Sequence, residues 1–319
     1  MRNVGMVCLL LAGFSVGSFG AVDYDLLSLV PTGTAVISSI DVNQAKNSQF
    51  GQYLVSRINP QNSDFQQFVQ QTGFNPMQDL QTVIFASPTG TANHNQKFLI
   101  LARGNFNADR IKATVQSKGA TVQTFQGVEI LADSHNQQKT GIAFPDSGIA
   151  VMGDIASVEQ AIANRANASS LAPAVQQLIA YVGPSNDAWF VSTTPSSFLG
   201  NHIPTGSNQP VPAQAVQSIV QASGGVQFGD TVRLSLNAVT RSAKDATSLI
   251  DVIRFGGSMI QMQRQKGAAG DALASAIDNM TLTSNGNTVQ VSLSMPEKNL
   301  EQVANLGFGV SHMAKPTNR

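Results

Sequence analysis

A turn built on Pro and Gly that feeds a β-branched run occurs twice in this chain, and this repetition constrains the fold more than any other feature. The first copy is Val30-Pro31-Thr32-Gly33-Thr34-Ala35-Val36-Ile37-Ser38-Ser39-Ile40-Asp41-Val42, and the second is Val182-Gly183-Pro184-Ser185-Asn186-Asp187-Ala188-Trp189-Phe190-Val191-Ser192-Thr193-Thr194-Pro195. Pro and Gly preset the turn, and the β-branched residues after it favour an extended strand. The stretches that follow are ordered alike. Phe98 to Val115 and Val232 to Ile250 both run strand, polar cap, helix, while Val128 to Ile162 and Met280 to Leu306 both end in a strand pair and a helix. Two divergent halves are expected, with one continuous α+β domain as the alternative.

Arg2, the apolar run Val7 to Phe14 and the small residues of Ser18-Phe19-Gly20 ahead of Ala21 form the pattern of a cleaved signal peptide over residues 1–20. The run is short and broken by Gly13 and Gly17, whereas a spanning helix needs roughly 20 apolar residues. A retained anchor is the alternative. Cys8, the only cysteine, lies inside the run, so the mature chain has no thiol for a disulfide, a nucleophile, a zinc–thiolate site or an iron–sulfur cluster. Loss of Arg2 from 19 basic residues leaves 18 against 19 acidic ones. No basic cluster stands out, which argues against nucleic acid and against an electrostatic membrane-surface role. A neutral surface rich in Gln, Asn, Ser and Thr is compatible with neutral partners.

The remaining chain divides into an N-terminal α+β half, 21–166, a C-terminal half, 167–306, and a flexible tail, 307–319. Small polar residues from Asn164 to Ser170 link the halves, and the Pro-, Gly- and Asn-rich stretch Gly200 to Pro212 reads as a mobile loop. In the first half, strands are expected at Ala35–Val42, Leu80–Ala86, Phe98–Ala102, Thr121–Phe125, Val128–Leu131, Gly141–Phe144 and Ile149–Met152. Helices are expected around Phe50, Leu54 and Ile58, from Ser63 to Gly73, after Asn107, and after Asp154. In the second half, a helix carrying Val216, Ile219 and Val220 is expected to end at Gly224-Gly225. An alternating strand follows from Thr231 to Val239, then a long helix from Ala243 to Gln265 capped by Ser242. Asn285-Gly286 reads as the centre of a hairpin turn. The expected class is α+β, each half an antiparallel sheet with helices packed on one face, of ferredoxin-like type, with a groove where the halves meet.

Catalytic sets are not legible. His94, His135, His202 and His312 fall in loops or the tail with no mutual spacing that suits a metal. Gly13-Phe14-Ser15-Val16-Gly17 matches a nucleophile elbow in letters only, because it lies in the signal segment. Asp41, Asp79, Asp133, Asp154 and Asp187 sit at element boundaries, where caps and turns account for them. Arg103 and Arg241 each close an expected strand ahead of a capped helix; they read either as guards of equivalent positions or as solvated strand ends. Trp189 reads as core packing in the second organising strand, and Met259 and Met262, with Leu249, as the buried face of the long helix, an adaptable apolar groove being the alternative. Asp41, Arg103, Arg241 and Trp189 are therefore the binding candidates, with no catalytic residue, metal ligand or cofactor expected.

A run of short motifs resembles a family of secreted bacterial proteins of unknown function, in which a signal peptide precedes a Leu-Val-Pro-x-x-Thr-Ala strand and a following Asp. The matching residues are Leu26, Leu29, Val30, Pro31, Thr34, Ala35 and Asp41. Gln71-Thr72-Gly73-Phe74-Asn75-Pro76, Asp79-Leu80, Leu101-Ala102-Arg103-Gly104 and Gly153-Asp154 extend the likeness. The resemblance implies export and carries no activity or site residue. The expected function is non-enzymatic binding or scaffolding in the bacterial envelope, periplasmic or extracellular, with an envelope ligand or a protein partner. A hydrolase with scattered catalytic residues is one alternative, and an envelope protein anchored by an uncleaved N-terminal segment is another.

Overall fold

Half-buried alternation along the strands is realised as one sheet. The structure, a computed structural model, describes residues 22–58, 63–88, 97–133, 140–166, 171–195, 213–262, 264–265 and 267–307. The expected signal segment, all four histidines, the loop 200–212, most of the inter-half link and residues 308–319 lie outside the described residues, as do the side chains of 54–58, 213 and 303–307. Along the chain the strands are β1 (Thr34–Asp41), β2 (Leu80–Pro88), β3 (Leu99–Gly104), β4 (Thr121–Phe125), β5 (Val128–Ala132), β6 (Thr140–Asp146), β7 (Ile149–Asp154), β8 (Ala188–Ser192), β9 (Ile219–Gln227), β10 (Thr231–Thr240), β11 (Thr281–Asn285) and β12 (Thr288–Pro296). The helices are α1 (Tyr24–Ser28), α2 (Val42–Asn47), α3 (Gln49–Ile58), α4 (Ser63–Thr72), α5 (Pro76–Asp79), α6 (Ala108–Gln116), α7 (Ile155–Ala166), α8 (Pro173–Val182), α9 (Ala213–Gln217), α10 (Ala243–Gln261), α11 (Ala268–Asp278) and α12 (Glu297–Gly307).

The fold is α+β, and its 12-stranded antiparallel sheet runs β11-β12-β10-β9-β8-β1-β2-β3-β7-β6-β5-β4. Outward from the centre the halves follow the same order, β1-β2-β3-β7-β6 in one and β8-β9-β10-β12-β11 in the other. The N-terminal half then adds the hairpin β4-β5 outside β6. The halves meet as hydrogen-bonded neighbours, Val36–Ile40 against Ala188–Ser192, where a groove was expected.

Successive side chains of a strand point to opposite faces. On the first face Ile84, Leu101 and Val151 align across β2, β3 and β7, with Ile37 of β1 opposite Ala86, beneath α1, α7 and α8, and Trp189 and Val191 join the same core. On the second face Val83, Ile100 and Ala102 pack with Phe74, Phe106 and Ile111, and α9 and α10 cover Ile219, Ala222, Ala238 and Val289 further out.

Three local readings shift. The helix expected through Val220 stops at Gln217, and Ile219–Gln227 is β9 with both glycines inside it. A Cβ at Gly224 would lie 2.6 Å from Leu236 Cδ2 and 2.7 Å from Phe190 Cε1, and one at Gly225 2.1 Å from Asn186 Cγ, so the glycines admit neighbours rather than end a helix. The long helix stops at Gln261, and α11 follows as a helix of its own. The last hairpin turns one residue later than expected: Asn285 pairs with Thr288, and Gly286, at φ +59°, and Asn287 form the turn.

Candidate functional site

Beyond β9 the first face of the sheet carries polar side chains in register. Across β10, β12 and β11 one row is Ser235, Ser292 and Thr281, and the next is Asn237, Gln290 and Thr283. Arg233 stands beside Ser294 in the row below. Arg233, Gln290, Ser292, Thr281 and Thr283 are exposed, and Ser235, Asn237 and Ser294 half-buried. The opposite face of the same strands places Leu236, Val291 and Leu282 in register, with Val291 and Leu282 in the core beneath α10 and Leu236 partly exposed. The strands are thus amphipathic in the ordinary antiparallel sense, with one face on the core and one open. The open side offers hydroxyl and amide groups, which both donate and accept, and Arg233 is the one charged side chain in these rows.

A second feature lies at the end of the N-terminal half. A depression of about 620 Å3 has Phe106 and Phe144 among its lining residues, with Asp79, Asn107, Asp109 and Asp146 around them. Several of these groups shape the walls: Asp79 accepts from the Asn75 N–H at 2.6 Å, Asp146 accepts from the Gly148 N–H at 2.8 Å and pairs with Arg165, and Asn107 caps α6.

None of the four sequence candidates lines this depression. Asp41 caps α2 by accepting from the Asn43 and Gln44 N–H groups at 2.8 and 3.0 Å. Arg103 makes a two-point contact with Asp23, from Nε at 2.5 Å and from its terminal amino group at 2.9 Å, and lies 3.6 Å from Asp25. It clamps α1 onto β3. Burial works against the charge of Asp23, but the Arg103 hydrogen bond, the Leu26 amide and the guanidinium charge carry its carboxyl below the ordinary range. Arg241 is exposed at the end of β10, its N–H donating to the Ser218 carbonyl. Trp189 is 2% exposed and stands opposite Ser39 across the β1–β8 junction; its Nε1 and the Ser39 Oγ are both buried without a hydrogen-bond partner among the described residues.

Asp41 and Trp189 are close in register, and Asp41 and Arg103 lie on strands two steps apart, roughly 10 Å. Arg241 is remote from the others. Around Asp41 the structure adds two groups that the sequence reading gave no role in a site. Asp187 is raised by burial and by the Asp41 charge, against a hydrogen bond from the Phe228 N–H. Lys46, lowered by burial against the charges of Asp79 and Asp41, donates to the Leu80 carbonyl at 2.8 Å. The open polar face was visible in part, since the alternation of Thr231–Val239 already puts Arg233, Ser235 and Asn237 on one side; its continuation through β12 and β11 needed the strand register. Among the described residues no cluster of His, Cys, Asp and Glu is placed to hold a metal ion, and no helix is long and apolar enough to cross a membrane.

No protein-family model and no curated protein sequence matches the chain. Solved structures of TP0453 do. Its crystal form III is 12% identical, with a TM-score of 0.53 over 92% of this chain and 99% of that one. Form I is also 12% identical, at 0.51 over 91% and 99%, and form IV, again 12% identical, at 0.50 over 87% and 95%. The likeness spans both halves, and at this identity it establishes a shared fold: the chain has the α+β architecture of TP0453.

Proposed function

We propose that this is a non-enzymatic binding or scaffolding protein, exported across the inner membrane of a bacterium, whose halves 21–166 and 167–306 act as one body. The open face of β10, β12 and β11 engages a neutral polar partner in the envelope. The carrying observation is the register of Ser235, Asn237, Gln290, Ser292, Thr281 and Thr283 on that face, opposite one that is apolar apart from Ser284. Hydroxyl and amide side chains at fixed strand spacing can match a ligand that both donates and accepts, and a nearly uncharged field does not select for ionic partners. The signal-peptide pattern of residues 1–20 supports export. The hydrolase alternative needs Asp41, Arg103 or Arg241 to converge on a polar pocket, and the positions of these residues lend it no support.

The test is a thermal-shift screen of residues 21 onward against envelope sugars, peptides and lipids, run beside an Asn237→Ala/Gln290→Ala variant. A ligand that raises the melting temperature of the native chain and not of the variant supports the reading, because only ligands that bind the folded state stabilise it. An equal rise in both places binding elsewhere. A flat screen removes small ligands and leaves only a protein partner for this face, to be sought by pull-down with the same pair of proteins.

A further inference from the structure

We propose that β11 is a pairing edge, at which two copies of this chain join strand to strand about a two-fold axis. In the N-terminal half β6 does not end the sheet: β5 pairs with it antiparallel, Ile130 opposite Ala143. The corresponding strand of the C-terminal half is β11, which pairs with β12 alone among the described residues. Among the described residues, the sheet position that takes a five-residue strand in one half is therefore open along a five-residue strand in the other.

Edge strands are ordinarily guarded by Lys, Pro or a bulge. From Thr281 to Met295 there is no charged residue and no proline, and β11 pairs with β12 without irregularity. Asn285 and Thr288 flank a two-residue turn and so form a hydrogen-bonded pair. Alternation then directs the N–H and C=O of Thr281 and Thr283 to β12 and leaves those of Leu282 and Ser284 on the free edge. A second β11 turned about a two-fold axis sets Thr283 opposite the partner's Thr283 and Leu282 opposite the partner's Ser284. The outward groups then bond on both sides of the axis. Thr opposite Thr is a favourable cross-strand pair, and no like charges meet. The open faces of the two copies become one continuous polar surface, although the pairing itself requires no ligand. Such an edge is small beside the ~800 Å2 per partner of stable complexes, so the pair forms in a concentration-dependent equilibrium.

Sedimentation equilibrium of the purified protein over roughly a hundredfold concentration range is expected to follow a monomer–dimer equilibrium. Thr283→Lys and Thr283→Glu each place like charges across the axis, and each should weaken dimerisation about tenfold or more, while an equimolar mixture of the two should restore it. In a Cys8→Ser background, Thr283→Cys should oxidise to a covalent dimer, since its only available partner is its own copy. A protein that stays monomeric throughout, a dimer indifferent to both charge variants, or open filaments from β4–β11 pairing overturns the proposal. So does a mixture that fails to recover dimer together with a Cys variant that fails to cross-link. None of these results depends on whether the open face binds a ligand.

Discussion

Glu297 is the carboxylate whose removal should cost the fold most. It is 4% exposed and accepts a hydrogen bond from the Phe50 N–H at 2.7 Å, which joins the first turn of α3 in the N-terminal half to the start of α12 in the C-terminal half. Phe50 is itself buried and stacks on Phe228 at 5.8 Å, so water has no easy route to the amide if the carboxylate is removed. Glu297→Ala leaves a buried N–H unsatisfied, at about 1–3 kcal/mol, with a charged acceptor at the upper end of that range. Loss of the negative charge at a helix N-terminus acts in the same direction. A total near 3 kcal/mol is expected, or a fall in melting temperature of about 5 °C at this chain length. Glu297→Gln keeps a carbonyl acceptor and should cost only ~1 kcal/mol. Urea unfolding followed by circular dichroism and by the emission of Trp189, the only tryptophan, measures both. If Glu297→Ala lies within about 0.5 kcal/mol of the native protein, or if Gln costs as much as Ala, the hydrogen bond is not what joins the two helices.

The Arg103–Asp23 clamp predicts an acid-side loss. The Asp23 carboxyl is held below its ordinary 3.8, so its contribution is complete above that value and disappears as pH falls through its lower folded pKa. Arg103→Ala should flatten that acid limb in a stability–pH series, cost about 1–2 kcal/mol at neutral pH, and speed hydrogen exchange at Leu26 and Leu27. Asp187 carries the opposite sign: its raised carboxyl imposes a penalty that grows as pH rises from 3.8 through the folded value. Asp187→Asn should therefore match the native protein in acid and exceed it in stability at neutral pH, as read by urea midpoints. Gly153→Ala should destabilise by about 3 kcal/mol or more, because its Cβ would lie 2.2 Å from the Phe98 carbonyl oxygen and push β3 off β7. Ser39→Ala, by contrast, removes a buried hydroxyl without a partner among the described residues and should be neutral or slightly stabilising in the same unfolding assay.

Local chemistry made the elements and the repeat readable from residues alone. Asn107, Asp154 and Ser242 cap the helices that their side chains announced, because a cap needs only neighbours along the chain. The turn-strand units became β1 and β8, and the order of elements in each half carried through to the order of strands, since both depend on turns and alternation. What a Gly-Gly step does, whether Arg103 is free, and where the polar side of an alternating strand points are settled by groups distant in sequence. Gly224 and Gly225 sit in a strand because Phe190, Leu236 and Asn186 occupy the space of their side chains. Arg103 is tied to Asp23 because β3 passes beneath α1. Met259 and Met262, read as buried, are 43% and 81% exposed, because periodicity gives a helix faces without saying which one meets the sheet. Likewise, the sequence shows that Asn237 and Gln290 lie on polar sides of their strands, but only antiparallel pairing sets them side by side. The sequence by itself thus determined the class, the repeated order and the local caps. The tertiary structure decided the fusion of two halves into one sheet, the open face and the unguarded edge, because each arises from pairing between segments that no local signal connects.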